Sequence, residues 1–367
     1  MRLKLLVPAV LAGLLAACGP VLSPRRGARD FIVTAANPDH LFVIDPRKQK
    51  VVSEFTIPDA HDYVATIVPS ANGKVAYVLV DRAQSIAGID LRTGKEVFRA
   101  NLQQPGERVT CLYAFDVTPD GKELIAYVNR TRLELDQYKV QTPRFLVFST
   151  AGGLHAKPVR EFPAPRRIEM ILAKQDGRSF FALGFNLYEY DLKTGRLIER
   201  RGILDWHRPH HLGPDMLAYW PVTEPTGIFS SPVYSRLTGP GLPPGGVPET
   251  SLLTLNLHDG HLAYHDIGRT DAVIFSTVLG PHRRWAYGVF GQLTKIDTVH
   301  WRVAARVNLP HAYYTVNVSS DGKEVYAGGT MCDVIIYDAR TMREKGDVRL
   351  PGCPDQAAAT LRVIQRR

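Results

Sequence analysis

The residues with chemistry to offer fall in three places. Cysteine occurs only at Cys18, Cys111, Cys332 and Cys353. None of these lies in C-x-x-C or C-x-x-C-H, so the chain has no sequence signature for a thiolate zinc site or for covalent haem attachment. Histidine clusters in Trp206-His207-Arg208-Pro209-His210-His211, and neutral imidazoles are metal ligands. Pro209 interrupts the regular backbone that would aim those rings, and only Asp205 is near enough in sequence to orient one. The cluster reads as a surface loop, and no metal site is assigned. The third place is Leu309-Pro310-His311-Ala312-Tyr313-Tyr314-Thr315-Val316-Asn317-Val318-Ser319. His311, Tyr313 and Tyr314 stand where a strand begins, and either pack between structural units or line a rim that faces a partner or substrate. No G-x-S-x-G, G-x-G-x-x-G, Walker or H-E-x-x-H pattern occurs. No catalytic or cofactor-binding residue is assigned to this chain.

The elements that position these residues form a repeat. Seven short apolar strands end in an acidic or small polar residue: Leu41–Asp45, Ile86–Asp90, Phe145–Ser149, Leu187–Asp191, Leu252–Asn256, Leu293–Asp297 and Val334–Asp338. Their ends are spaced by 45, 59, 42, 65, 41 and 41 residues, a period in the low forties with two insertions. Turns of the Asn-Gly or Asp-Gly type precede most of them, at Asn72-Gly73, Asp120-Gly121, Asp176-Gly177 and Asp321-Gly322. Such pairs tolerate the positive φ that a tight antiparallel hairpin requires. Each unit is therefore a meander of four strands, and seven stacked units predict an all-β fold, a seven-bladed β-propeller of four-stranded antiparallel blades.

Closure is written in the two ends of the chain. The first unit begins at Phe31-Ile32-Val33 and lacks an innermost strand, while Thr360-Leu361-Arg362-Val363-Ile364 remains spare after the seventh. That C-terminal strand is expected to complete the first blade and remove an open sheet edge. The acid at the end of each third strand reads as a turn former, and Trp206, Trp220, Trp285 and Trp301 as packing between blades. Cys332 precedes the third strand of the last blade and Cys353 follows its fourth, so both emerge on one rim and are expected to form a disulfide, with Cys111 unpaired. Two insertions break the period. Residues 221–249 hold seven Pro and five Gly, too many for a regular blade strand, and form either a solvated loop or an ordered arm. Residues 129–143 alternate too regularly, and are too apolar, for a free tail.

Composition and the N-terminus set the compartment. Hydrophobic residues make up 45% of the chain and charged residues 22%, which excludes a disordered or collagen-like protein. The net charge of +9 is spread without a basic block or nucleic-acid-reading motif, which favours an acidic partner over nucleic acid. Arg2 and Lys4 precede an uncharged run from Leu5 to Ala17, the pattern of a secretory signal and too short for a membrane span. The run ends Leu15-Ala16-Ala17-Cys18-Gly19, as in bacterial lipoproteins whose cysteine is acylated before cleavage. The expected organisation is a signal peptide over 1–17, a linker over 18–29 and the propeller over 30–367. The expected location is the periplasm, with a lipid on Cys18 as the membrane anchor.

Three segments carry a resemblance to a family. They are Arg29-Asp30-Phe31-Ile32-Val33 with the Leu41–Asp45 strand after it; Arg132-Leu133-Glu134-Leu135 through Val140-Gln141-Thr142-Pro143-Arg144; and Leu309 to Ser319 as written above. In these the chain resembles the β subunit of quinohemoprotein amine dehydrogenase. The resemblance implies a periplasmic heterotrimer that oxidises primary amines. A di-haem cytochrome c α subunit would be one partner, and a small γ subunit holding a cysteine tryptophylquinone the other. The propeller subunit of that family has no redox group, and its quinone and catalytic base belong to γ. The alternative reading is a solitary exported propeller lipoprotein that serves as a scaffold or ligand-binding module.

Overall fold

The computed structural model describes residues 27–111, 114–205, 207–217, 219–357 and 359–366; Cys18, the signal segment and Trp206 lie outside them. Seven sheets surround one axis. Blade 1 comprises Arg362–Arg366, Arg29–Ala36, His40–Asp45 and Lys50–Thr56, from the axis outward. Blade 2 runs from Val64–Pro69 to Glu96–Asn101, blade 4 from Ile168–Ala173 to Leu197–Gly202, blade 6 from Ser276–Leu279 to Arg302–Asn308, and blade 7 from Thr315–Val318 to Glu344–Arg349. Each is a four-stranded antiparallel meander whose third strand is the one read from the sequence.

Burial explains why these segments pair as they do. Innermost and second strands are largely buried on both faces, because each lies between two neighbouring blades; second strands are mostly apolar, whereas innermost strands also bury polar side chains such as Thr277, Asn317 and Arg362. Fourth strands alternate: Lys50–Thr56 exposes every second residue. Aromatic rings fill the wedges between blades. Phe98 meets Tyr77 at 5.5 Å and Phe148 of blade 3 at 6.4 Å, edge to face in both cases. Phe145 similarly meets Phe180 of blade 4 at 5.1 Å, a geometry that suits the ring quadrupoles.

The turns repeat as the sequence required. Asp90, Asp191 and Asp338 each accept from the backbone N–H and hydroxyl of the Thr three residues on. These acids are thus consumed by turn geometry. The glycine that follows is needed twice over at Gly195, where φ is +68° and an added Cβ would lie 2.2 Å from the Phe162 ring of blade 3.

The C-terminal strand closes the ring. Ile32 pairs with Val363 and Arg29 with Arg366 in an antiparallel ladder. Asp30 then accepts from the backbone N–H and hydroxyl of Ser320, at 2.7 and 2.6 Å, which ties blade 1 to blade 7. Cys332 and Cys353 are joined by a disulfide, with Cα atoms 4.7 Å apart. Cys111 is a free, buried thiol, pushed up to about 12 by burial.

The two insertions are both β structure. In blade 3 the second strand, Glu123–Leu133, runs past the blade and pairs there with Glu107–Thr110 on one side and Tyr138–Val140 on the other. In blade 5, Ile228–Leu237 and Val247–Asn256 form a ladder ten residues long. The expectation that 221–249 is too rich in Pro for a regular strand is corrected at this hairpin. Ile228–Leu237 bonds to its partner through odd-numbered residues, so the missing N–H of Pro232 faces the inner side, where no regular strand pairs with it. Blade 5 has three strands in regular pairing, completed by Leu262–Arg269. Its innermost position is occupied by residues 211–217 and 219–227, joined to the sheet through single bridges at His211–Leu237 and Asp215–Tyr234. Pro214, Pro221 and Pro225 interrupt that stretch, which prevents a continuous ladder. Among the described residues no helix is long and apolar enough to cross a membrane.

Candidate functional site

The two ends of the ring are unlike. One, the turn face, carries the tight hairpins between first and second strands and the Asp-x-x-Thr turns between third and fourth. The other, the crossover face, carries the turns between second and third strands and every passage from blade to blade. The blade 3 outgrowth, the tip of the blade 5 hairpin with His210 and Leu212 beside it, and the Cys332–Cys353 bridge all lie on the crossover face. So do Leu133, Leu135, Tyr138, Val140, Phe185, Leu217 and Met331, large apolar side chains that are exposed to solvent. Four of them, Leu133, Leu135, Tyr138 and Val140, gather on the blade 3 outgrowth, and a local cluster of that kind marks a binding surface more than isolated exposed side chains do.

His311, Tyr313 and Tyr314 sit in the passage into blade 7 on this face, and the structure separates their surroundings. Tyr313 is fully buried, and its hydroxyl donates to Asp333. Burial and that carboxylate push the phenol well above its ordinary range. His311 is half-buried, with Nε2 2.9 Å from Asp333 Oδ1 and Nδ1 2.9 Å from the Ala312 carbonyl. Its ring centroid is 4.1 Å from that of Tyr313. Asp333 therefore fixes both side chains. Burial and the Asp333 charge push the nearby Asp347 carboxyl up as well. Tyr314 turns the other way, into an aromatic group with Phe275 at 4.8 Å, Phe290 at 6.2 Å and Trp220 at 6.2 Å. All four rings are half-buried, and the indole N–H of Trp220 has no hydrogen-bond partner among the described residues.

Beneath these rings the axis is filled by charge. Glu224, in the passage that replaces the inner strand of blade 5, forms an ion pair with Arg362 of the closing strand; Arg362 Nε is 3.0 Å from Glu224 Oε1. Arg362 also donates to the Ile67 carbonyl at 2.7 Å, and Asn317 donates to the Leu361 carbonyl at 3.0 Å. Asp116 of blade 3 accepts from the backbone N–H of Ala173 at 2.7 Å and of Val117 at 2.8 Å. Burial nevertheless pushes its carboxyl up to about 6, against the pull of Arg362.

The histidine cluster is placed on the blade 5 hairpin. His207 and His210 are exposed. His211 Nε2 lies 2.6 Å from Glu249 Oε2, and its Nδ1 lies 2.8 Å from the Pro209 carbonyl. The expectation that only Asp205 stands near is corrected: Asp205 pairs with Arg200, while Glu249 and Asp266 come from the next two strands. Donor atoms of His211, Glu249 and Asp266 lie within 4.8 Å of one another. Both Asp266 oxygens are taken by the Arg208 guanidinium, and one also accepts from Ser251 at 2.7 Å. Those donors hold the Asp266 carboxyl below its ordinary range, and the arrangement is an ion-pair network.

Sequence reading missed Asp333, Glu224, Asp116 and the rings of Phe275 and Phe290. Asp333 meets His311 and Tyr313 within one blade, Phe275, Phe290 and Asp116 meet partners in the same or the neighbouring blade, and Glu224 meets Arg362 through closure of the ring, so no local spacing marks any of them.

Fold and site together define a β-propeller with one elaborated face. No family model matches the chain, and no curated protein matches it. Solved propellers do. Hydrazine synthase of Kuenenia stuttgartiensis is 15% identical, over 87% of this chain and 95% of that one, with a TM-score of 0.52. A protein of unknown function from Desulfotomaculum acetoxidans is 10% identical, over 91% and 98%, with a TM-score of 0.58. The dihydro-heme d1 dehydrogenase NirN is 14% identical, over 89% and 75%, with a TM-score of 0.51. At such identities the likeness establishes the fold.

Proposed function

We propose that this chain is the propeller subunit of an exported dehydrogenase that oxidises primary amines, and that it contributes a docking face rather than a redox group. One observation carries the reading. Of the three segments that resemble the quinohemoprotein amine dehydrogenase β subunit, two build the elaborated face: Arg132 to Arg144 forms the blade 3 outgrowth, and Leu309 to Ser319 forms the passage holding His311 and Tyr314. Two of the propellers it is similar to are enzymes by name, a hydrazine synthase and a dihydro-heme d1 dehydrogenase. In this reading the rigid ring holds a di-haem cytochrome c and a small quinone-bearing subunit in fixed relation, since electron transfer between them needs their cofactors close. Haem c and cysteine tryptophylquinone belong to those partners. Export and a lipid on Cys18 place the complex at the periplasmic side of a membrane.

Deletion of the gene in its own host tests this. The expected result is loss of primary-amine-dependent reduction of an artificial electron acceptor in the envelope fraction, restored by the intact chain. Undiminished amine oxidation without the chain refutes the reading and favours the solitary exported scaffold or ligand-binding module.

A further inference from the structure

The blade 3 outgrowth leaves one strand edge open. Its central strand bonds through alternate residues: Gln141 N–H donates to Arg130 O at 2.8 Å and Glu134 N–H to Gln137 O at 3.0 Å. With that register, in which Thr131 pairs with Val140 and Leu133 with Tyr138, the N–H and C=O of Tyr138 and Val140 point away from the central strand. No backbone group among the described residues meets them. Natural sheets blunt such an edge with charge, proline or cover. Here the two residues that carry it are apolar or aromatic and exposed, Tyr138 at 77% and Val140 at 60%.

The groove beside this edge is basic. Val140, Pro143 and Asn129 form one wall of a cavity of about 420 Å³, and Arg166, Arg167 and Glu169 form the other. Arg166 and Arg167 are exposed and have no carboxylate partner among the described residues, and the same holds for Arg108, Arg132 and Lys139 on the outgrowth. Arg167 is held at φ +62° with its guanidinium 5.9 Å from the Phe185 ring. Against these five cations stand Glu169, the exposed Asp136 and Glu134, whose carboxylate accepts from the Gln137 amide, so the surroundings of the edge keep a positive surplus.

We propose that the Tyr138–Val140 edge binds an extended, acidic polypeptide segment of a partner, which adds to the outgrowth as a further strand and places carboxylates against Arg166 and Arg167. Main-chain bonds to the two open residues supply affinity, and the arginines supply the choice of sequence. The inference rests on the reading of this face as a docking face, and names the kind of segment that docks.

Peptide binding to the mature chain tests it. The probe is a fluorescent eight-residue peptide of alternating Glu and Val, compared with one of alternating Lys and Val. The acidic peptide is expected to bind, to weaken with added salt, and to protect the Tyr138 and Val140 amides from hydrogen exchange. Val140→Pro removes an N–H that no native bond uses and is expected to weaken binding at least tenfold. Arg166→Glu does the same without touching the strand, which keeps the test intact should the proline variant fold poorly. Equal binding of the two peptides, or binding without protection of those two amides, overturns the proposal. Protection that appears without peptide as protein concentration rises also overturns it, since the edge would then pair with a second copy. The two levels fail separately. If the peptide does not bind while amine oxidation still depends on the chain, the edge is wrong and the function stands. If the peptide binds while amine oxidation is independent of the chain, the edge stands and the function is wrong.

Discussion

Asp116→Asn is expected to stabilise the protein at neutral pH, although it removes a charged side chain that makes two hydrogen bonds. Asp116 lines the axis within reach of the Arg362–Glu224 pair, and burial raises its carboxyl from about 3.8 to about 6. The folded chain therefore binds this proton more tightly than the unfolded chain. Between about pH 4 and pH 6 the native state holds more protons, and stability falls as pH rises through that window. A shift of about two units corresponds to roughly 3 kcal/mol of native-state cost, fully present above pH 6 and absent below pH 4. Asparagine resembles the protonated acid in shape, and its carbonyl oxygen keeps the bond from the Ala173 N–H, but its amide nitrogen then faces the Val117 N–H, donor against donor, which costs about 1 kcal/mol at every pH. The variant is expected to gain about 2 kcal/mol at pH 7.5 and to lose about 1 kcal/mol at pH 4, read as a rise of a few degrees in Tm at the higher pH only. Thermal unfolding of both proteins from pH 4 to pH 8 measures this. A variant less stable than the parent at pH 7.5 would show that attraction to Arg362 outweighs desolvation and refute the reasoning.

Deleting residues 357–367 removes the innermost strand of blade 1 and leaves Glu224 without Arg362, a loss of at least about 3 kcal/mol for the charge alone; a truncated protein that melts with the intact one contradicts the closure. Replacing Cys332 and Cys353 together with Ser costs about 3 kcal/mol by the loop-entropy argument for a separation of 21 residues, and unreduced peptide mapping that finds both thiols free removes the bridge. Cys18→Ser is expected to shift the protein from the membrane to the soluble fraction; unchanged partition with normal processing refutes the lipid anchor.

The fold was legible because a propeller repeats its instructions. Seven third strands, four Asn-Gly or Asp-Gly turns and a spare C-terminal strand are local patterns, and each maps onto the strand or turn it named. The Cys332–Cys353 bridge was legible for the same reason, since strand order alone brings both residues to one rim. What failed was the reading of residues 221–249 by composition, because the tolerance of a strand for Pro232 depends on which side its N–H faces. The candidate site was visible only in part. His311 and Tyr313 were marked by their place ahead of a strand, but Asp333, which holds both, lies 20 residues beyond Tyr313 at the start of the third strand of that blade. Glu224 and Arg362 meet only because the chain closes, 138 residues apart.

Membership of this ring in a redox assembly is tested most directly by affinity purification of the tagged chain from envelopes of its own host, with haem staining and redox-cycling quinone staining of the denatured subunits. The account predicts two stoichiometric companions, a larger one positive for haem c and a very small one positive for quinone. A chain recovered alone, or with companions that carry neither stain, would contradict it.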